Sequence, residues 1–327
     1  MKNAILKLLK GNSEYLSGEE ISNILGVSRT AIWKHIRTLK SEGYVIESQT
    51  KLGYLLLKVP DRMYPEEIKG YLKTAQIGGT ILYEDTVDST NITAKDIADQ
   101  GFEEGTVVVA EMQTAGKGRL GRGWHSSYGT GIWMSVMVRP TIMPVDAPKI
   151  TLLTAISVAQ AIRQETGVSP GIKWPNDILI KGKKVCGILT EIKADMDLIH
   201  YIIVGIGINV NESEFSSDIS NIATSLKMET GRDINRVKMA AAVLNNWEEN
   251  YFEFLQRGFS RIKSAWREFS INLGQEVTVT TLKDTIQGRA IDIDDDGLLL
   301  VEDNRGTLHK IVAGDVSLRK GELNHEN

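Results

Sequence analysis

The chain has 327 residues, 42% of them hydrophobic and 24% charged, with a formal net charge of -4, a balance that suits a soluble globular protein of two or three domains. Its single cysteine, Cys186, excludes an intrachain disulfide. No unbroken run of about 18 apolar residues is available to span a membrane, and the start, Met1 to Lys7, meets charge too soon for a secretory signal, so a cytoplasmic protein without a membrane anchor is expected. The charge is uneven: residues 1–60 hold nine Lys/Arg against five Asp/Glu, and the remainder hold 29 against 37. A basic end on an acidic protein predicts an anionic partner for that end.

Residues 1–62 read as three short helices and a β-ribbon. Ile5, Leu6, Leu8 and Leu9 repeat with helical spacing until Gly11 and Asn12. Ser17 and Glu20 form a capping-box pattern before a helix expected to bury Ile21, Ile24 and Leu25. Gly26 breaks that helix and Ser28 caps the next, whose Ile32, Ile36 and Leu39 face inward at i, i+4 and i+7. Ser28, Arg29, Thr30, Trp33, Lys34 and Arg37 are then left to contact DNA, although Trp33 at this position also suits a core. Two strands, Tyr44–Glu47 and Tyr54–Leu57, joined through Lys51 and Gly53, complete a pattern that resembles the winged-helix domain of bacterial regulators. Pro60 and Pro65 bracket the expected linker.

From 63 to about 270 strand and helix patterns alternate. Asp88-Ser89-Thr90-Asn91 opens a helix with small polar groups that suit either a plain cap or a ligand's polar head. Gln113 to Trp124 puts four glycines and three cations into positions 116–123, between two strand-like runs. Glycines let a backbone close around an anion and the cations hold it there, so the loop is a candidate phosphate nest. It is not a Walker loop, because Lys117 is followed by Gly118. A long helix is expected from about Ala147 to Glu165. Lys173-Trp174-Pro175-Asn176-Asp177 leads into a hairpin in which strict alternation puts Lys184 on one face with Cys186 and Ile188. Gly205-Ile206-Gly207-Ile208-Asn209 lacks the third glycine of a dinucleotide fingerprint.

Four of these motifs, in this order, resemble the bacterial biotin–protein ligases that double as biotin operon repressors: Asp88–Asn91, Gly116–Arg122, Lys173–Asp177 and Gly205–Asn209. The resemblance implies an α+β multidomain chain: a winged helix (1–62), a ligase domain with a mixed β-sheet and helices, related to class II aminoacyl-tRNA synthetases (63–270), and an SH3-like β-barrel (271–327). By position it implies biotin contacts from Ser89, Thr90, Asn91, Gln113, Lys117, Gly118, Arg119 and Lys184, and nucleotide contacts from Arg119, Arg122, Asn209, Thr224 and Ser225. Lys184 and Arg119 would be catalytic, with no protein-bound metal. Lys117 departs from relatives with arginine there, which keeps charge but loses a fork for two phosphate oxygens.

The implied reaction takes biotin and Mg-ATP to biotinyl-5′-adenylate, then moves biotin to a lysine of a carboxylase carrier domain. The implied partners are that domain, operator DNA and, with adenylate bound, a second copy of the chain. A biotin-sensing repressor without activity and a ligase for another acyl group such as lipoate are the alternatives. The C-terminal segment alternates short strands with turns at Asp295-Asp296-Gly297 and Asn304-Arg305-Gly306, which suits a small barrel; Asp294–Asp296 is read as a solvated turn, and Gly321 to Asn327 is expected to fray.

Overall fold

The structure is a computed structural model that describes residues 1–281 and 284–318; the tail expected to fray lies outside the described residues. The chain divides after Arg62 into two compact units.

The first unit holds α1 (Lys2–Lys10), α2 (Gly18–Leu25), α3 (Arg29–Ser41), β1 (Val45–Gln49) and β2 (Gly53–Lys58). The capping box is formed: Glu20 N donates to Ser17 Oγ at 3.1 Å and Ser17 N to Glu20 Oε2 at 2.8 Å. Gly26, at φ 66°, ends α2, and Ser28 Oγ accepts from Ala31 N at 3.3 Å to start α3. Each cap is worth about 1 kcal/mol, a large share of the stability of so small a module. Ile5, Leu6, Leu9, Ile21, Ile32, Ile36 and Leu39 form its core. Ile24 does not join them; it is 59% exposed. A two-turn helix offers this core one narrow stripe, Ile21 fills it, and Ile24 and the half-buried Leu25 fall on either flank. The ribbon is antiparallel, and Leu16 pairs with Tyr54 beside it. A Cβ at Gly53 would lie 2.0 Å from the Leu16 carbonyl oxygen, so only glycine fits there.

In the second unit the first helix is α4 (Pro65–Lys69), which Pro65, at the far end of the expected linker, opens. Then come β3 (Ile81–Val87), α5 (Thr90–Asp99), β4 (Val107–Gln113), β5 (Gly131–Val138), α6 (Ala147–Thr166), β6 (Gly171–Lys173), β7 (Asp177–Ile180), β8 (Lys183–Ala194) and β9 (Ile199–Asn209). These strands make a seven-stranded sheet ordered β3-β4-β5-β9-β8-β7-β6, parallel at β3–β4 and antiparallel elsewhere. After β9 follow α7 (Leu226–Thr230), α8 (Arg236–Arg257) and α9 (Ser260–Phe269). The helices α6, α8 and α9 share the main apolar core with the sheet, while α5 packs Ala94, Ile97 and Ala98 on Val108, Met137 and Ile203. With the turn before it, α6 is long and apolar enough by composition to cross a membrane, which a search for unbroken apolar runs does not detect; 72% of that window is buried in protein.

Five strands, β10 (Glu276–Thr280), β11 (Thr285–Ile293), β12 (Leu299–Asp303), β13 (Leu308–Ile311) and β14 (Asp315–Leu318), form an antiparallel sheet ordered β13-β12-β11-β10-β14. Val277, Val279 and Ala290 belong to the same buried cluster as the central sheet, and Trp174 Nε1 donates to the Gly297 carbonyl at 3.1 Å. The Asp294 turn is tied by its own backbone: Asp294 Oδ1 accepts from Asp296 N and Leu298 N at 2.9 and 3.0 Å.

One buried ion pair anchors the start of this unit. Arg236 Nη1 donates to Glu111 Oε2 at 2.9 Å, with the two side chains 1% and 0% exposed, and Glu111 Oε1 accepts from Met63 N at 2.8 Å. Removing one member of a buried pair strands the other charge. Arg236→Met is expected to lower unfolding free energy by about 3–5 kcal/mol in a denaturant titration, and adding Glu111→Gln is expected to restore part of the loss. A loss under 1 kcal/mol would show that water reaches the pair.

Candidate active site

A cavity of about 520 Å³ collects the sequence motifs in one place. Ser89, Thr90 and Asn91 reach it from the N-terminus of α5, Gln113 from the end of β4, and Lys117, Gly118, Arg119 and Arg122 from the loop. Lys184 enters from β8 and Asn209 from β9.

Ser89 is the N-cap residue of α5, yet its side chain makes no capping bond. Thr90 N donates to Gln113 Oε1 at 2.9 Å, and Gln113 Nε2 donates to Ser126 Oγ at 2.9 Å. Gln113 is thus clamped between the helix and the segment beyond the loop.

The loop is a closed hairpin. Gly118 N donates to the Arg122 carbonyl at 2.7 Å and Trp124 N to the Gly116 carbonyl at 2.8 Å. A Cβ at Gly116 would lie 2.6 Å from the Trp124 carbonyl oxygen, so this glycine allows the closure. At the tip Leu120 takes φ 56°, a left-handed conformation uncommon for a residue with a side chain. Arg119 Nη1 donates to Asn176 Oδ1 at 3.0 Å and Nη2 to the Gly314 carbonyl at 3.4 Å; Arg122 pairs with Asp315. Arg119 and Arg122 are therefore held over the cavity by the approach to β7 and by the C-terminal sheet.

Lys184 stands on the opposite face from the one strict alternation gives it. A bulge between β7 and β8 breaks the register, with Ile178 opposite Cys186 but Leu179 opposite Lys184. The extra residue, Val185, turns inward with Cys186 and Ile188, and Lys184 folds over Gly187, where a Cβ would meet its Nζ at 3.3 Å. Bulges commonly re-aim a side chain in this way. Its Nζ is 2.6 Å from Asp177 Oδ1 and 5.2 Å from the centre of the Trp124 ring. Cys186 is fully buried, and burial pushes its thiol pKa far up, which leaves it a packing residue.

Thr224 and Ser225 are not among the residues that line the cavity. Ser225 Oγ caps α7, accepting from Met228 N at 3.1 Å, and donates to the Glu212 carbonyl at 2.6 Å; Thr224 Oγ1 donates to Glu229 Oε1 at 2.7 Å. Their hydroxyls are spent on the wall, while the Thr224 carbonyl holds Asn209, whose Nδ2 donates to it at 3.1 Å.

Trp124 and Asp315 were not singled out as site residues from the sequence. Trp124 lies across Gly207 and Gly187, which pair directly on β9 and β8; a Cβ at Gly207 would lie 2.5 Å from its Nε1. Glycines on neighbouring strands, next to a loop ending in tryptophan, were the available signal. Asp315 carried none, being 193 residues from its partner Arg122.

In the first unit, Arg29, Thr30, Trp33, Lys34 and Arg37 are all exposed on one side of α3. Trp33 is 49% exposed and carries the Arg37 guanidinium 4.9 Å over its ring, so it is outside the core. Ser28 is exposed but commits its side chain to the helix cap.

Residues 83–209 match the biotin/lipoate A/B protein ligase family, 2–55 an HTH domain and 273–319 the biotin protein ligase C-terminal domain. The chain is 43% identical to the bifunctional ligase/repressor BirA of Bacillus subtilis, over 97% of this chain and 98% of that one. The chain belongs to the bifunctional BirA ligase/repressor family. A second member, BirA of Escherichia coli, is 30% identical over 96% of each chain. The biotin protein ligase of Aquifex aeolicus, solved in complex with biotin and ATP, superposes with a TM-score of 0.65 at 32% identity, covering 74% of this chain and 99% of that one. As a member of the BirA family the chain is a biotin–protein ligase that carries a repressor's helix-turn-helix domain.

Proposed function

We propose that the cavity binds biotin at Ser89, Thr90, Asn91 and Gln113, under Lys117, Gly118 and Arg119, and binds ATP toward Arg122 and Asn209. The observation that carries this reading is the meeting, in one cavity, of a small polar pocket, a cationic loop and Lys184. Biotin's carboxylate oxygen attacks the α-phosphorus of ATP; the new C–O–P linkage forms as the bond to the β-phosphate breaks and pyrophosphate leaves. The amine of an acceptor lysine then attacks the acyl carbon, forms an amide, loses a proton and releases AMP. Lys184 and Arg119 neutralise charge on the phosphate and carboxylate, and the cavity positions the two reactants. Mg²⁺ enters as ATP's counter-ion.

The rest of the reading divides the chain into a DNA-binding module (1–62), a ligase module (63–270) and a barrel (271–327), working in the cytoplasm where ATP and operator DNA are found. Carrier domains of biotin-dependent carboxylases are the acceptors. Residues Arg29 to Arg37 contact operator DNA, and the adenylate promotes a homodimer and acts as co-repressor. The open edge of the sheet supports the dimer: Asn176 and β7 cover β8 only as far as Ile188, and among the described residues no strand pairs with the rest of that side of β8.

Labelled biotin, ATP and a biotin-acceptor domain test the ligase reading. ATP-dependent label on the acceptor is expected, with no transfer of lipoate. Binding of biotin without transfer would instead make the chain a sensor.

Within this reading, Arg119→Ala is expected to lower adenylate formation by about 10–100-fold, because it removes a cation from the phosphate. It is also expected to speed release of adenylate, because the loop loses its ties to Asn176 and Gly314. Filter retention of labelled adenylate measures the second effect; retention equal to wild type rejects it.

A further inference from the structure

A run of hydrogen bonds behind the polar pocket starts at a carboxylate. Lys95 Nζ donates to Glu191 Oε1 at 2.5 Å, and Asn91 Nδ2 donates to Glu191 Oε2 at 2.8 Å. Burial pushes the Glu191 carboxyl up, but the bonds from Lys95 and Asn91 outweigh it and hold the group below its ordinary range, so it is ionised at neutral pH. An ionised carboxylate only accepts. The amide nitrogen of Asn91 must therefore face β8, where its other N–H reaches the Leu189 carbonyl at 3.3 Å. The amide oxygen must face Ser135, whose Oγ is 2.6 Å from it.

Ser135 Oγ is also 2.7 Å from Thr90 Oγ1. Ser135 has one proton and Asn91 Oδ1 has none, so that proton goes to Asn91, and the single Thr90 hydroxyl proton goes to Ser135 Oγ or to Gln113 Oε1, 3.2 Å away. Asn91 then has both N–H groups engaged and a lone pair left on Oδ1, and Thr90 likewise keeps a lone pair on Oγ1. Both residues line the cavity. A ligand facing them meets acceptors and has to bring N–H groups.

We propose that Glu191, pinned by Lys95, is a positioning residue that fixes the direction of the Asn91 amide, and so makes this end of the cavity select a ligand N–H over an oxygen. The inference rests on the biotin reading above, since biotin's ureido ring carries two N–H groups. Asn91 would touch the ligand; Glu191 acts through it. The glycine at 205 belongs to the same device, because a Cβ there would lie 2.3 Å from Asn91 Oδ1.

The test is calorimetric titration with biotin and with the two cyclic carbamate analogues in which one ring N–H or the other is replaced by oxygen. The proteins are wild type, Glu191→Gln, Asn91→Ala and the double variant. A glutamine at 191 can accept or donate, which frees the Asn91 amide to turn over. Wild type is expected to prefer biotin over at least one carbamate by about tenfold or more. Glu191→Gln is expected to shrink that preference by about tenfold while the KM for ATP stays within about twofold. On the Asn91→Ala background Glu191→Gln is expected to change nothing beyond about twofold, because its route is gone. Lys95→Met, which unpins the carboxylate without touching the pocket, is expected to move the preference the same way by a smaller factor. An unchanged preference in both Glu191→Gln and Lys95→Met overturns the inference, as does a full effect on the Asn91→Ala background. Wild-type protein that fails to bind biotin overturns the cavity reading itself, a result distinguishable from the others.

Discussion

Replacing Lys184 by alanine is expected to slow biotinyl-adenylate formation by about 10²–10³-fold, the usual cost of removing one well-placed charge stabiliser from a reacting centre. Two features make this the largest single-residue effect expected on the chemistry. The bulge at Val185 holds Lys184 over Gly187, so the ammonium reaches the cavity from a rigid strand. Its partner Asp177, 2.6 Å away, is itself a lining residue. Alanine at 184 therefore removes a cation and also leaves a carboxylate facing an incoming polyphosphate. Asp177→Asn added to Lys184→Ala is expected to recover about tenfold of the loss by removing that repulsion. Exchange of labelled pyrophosphate into ATP, dependent on biotin, reads the adenylation step alone. The single variant retaining more than a third of wild-type exchange would remove Lys184 from the chemistry. If the double variant is no faster than the single one, Asp177 is not a source of repulsion. Circular dichroism checks that both variants remain folded.

The sequence made some parts of this site legible and hid others, for physical reasons. Chain-local signals survived. The capping box at Ser17 and Glu20 formed, and the loop from Gly116 to Trp124 closed because its glycines permit close backbone approach. The sequence was silent or misleading where tertiary packing chose between local options. Period-two alternation put Lys184 beside Cys186, but one extra residue in β8 reversed its face, and nothing local marks a bulge at Lys184-Val185. Ile24 was expected in the core by hydrophobicity alone, yet the core closed on Ile21. Thr224 and Ser225, which the resemblance puts on the nucleotide side, turn their hydroxyls to Glu229, Met228 and the Glu212 carbonyl, partners no local pattern announces. Asp315, Ser135 and Glu191 gave no signal because their roles exist only once distant strands meet. The nearest clue was the placing of small residues: Gly205, Gly207 and Gly187 leave the space that Asn91 and Trp124 fill.

Biotinyl-adenylate is expected to drive both self-association and operator binding, where biotin or an ATP analogue alone has little effect. A single winged helix makes a small contact: α3 offers Arg29, Lys34 and Arg37 as its exposed cations toward the helix start and middle. With so few phosphate contacts one module alone binds weakly. Two such modules reading a two-fold operator add their contacts, so dimer formation is the step that makes binding useful. The ligand can drive it only by favouring the dimer-competent state. The loop supplies a physical source for that difference. Arg119 and Arg122 are tied to Asn176, Gly314 and Asp315, protein acceptors that a phosphate would compete with. Re-pairing these arginines on the adenylate changes what holds the loop and the barrel together, and four glycines make the loop costly to order without a ligand. The side of β8 beyond Ile188 that no described strand pairs with is where a second sheet can add. Sedimentation of the protein with each ligand, with and without operator DNA, measures both steps. The adenylate is expected to shift the protein toward twice its mass and to tighten operator binding by at least about tenfold, which needs a preference of about 1.4 kcal/mol for the dimer. If self-association and operator affinity stay at the values of the free protein, the adenylate is an intermediate only, and the ligase reading stands without the co-repressor role.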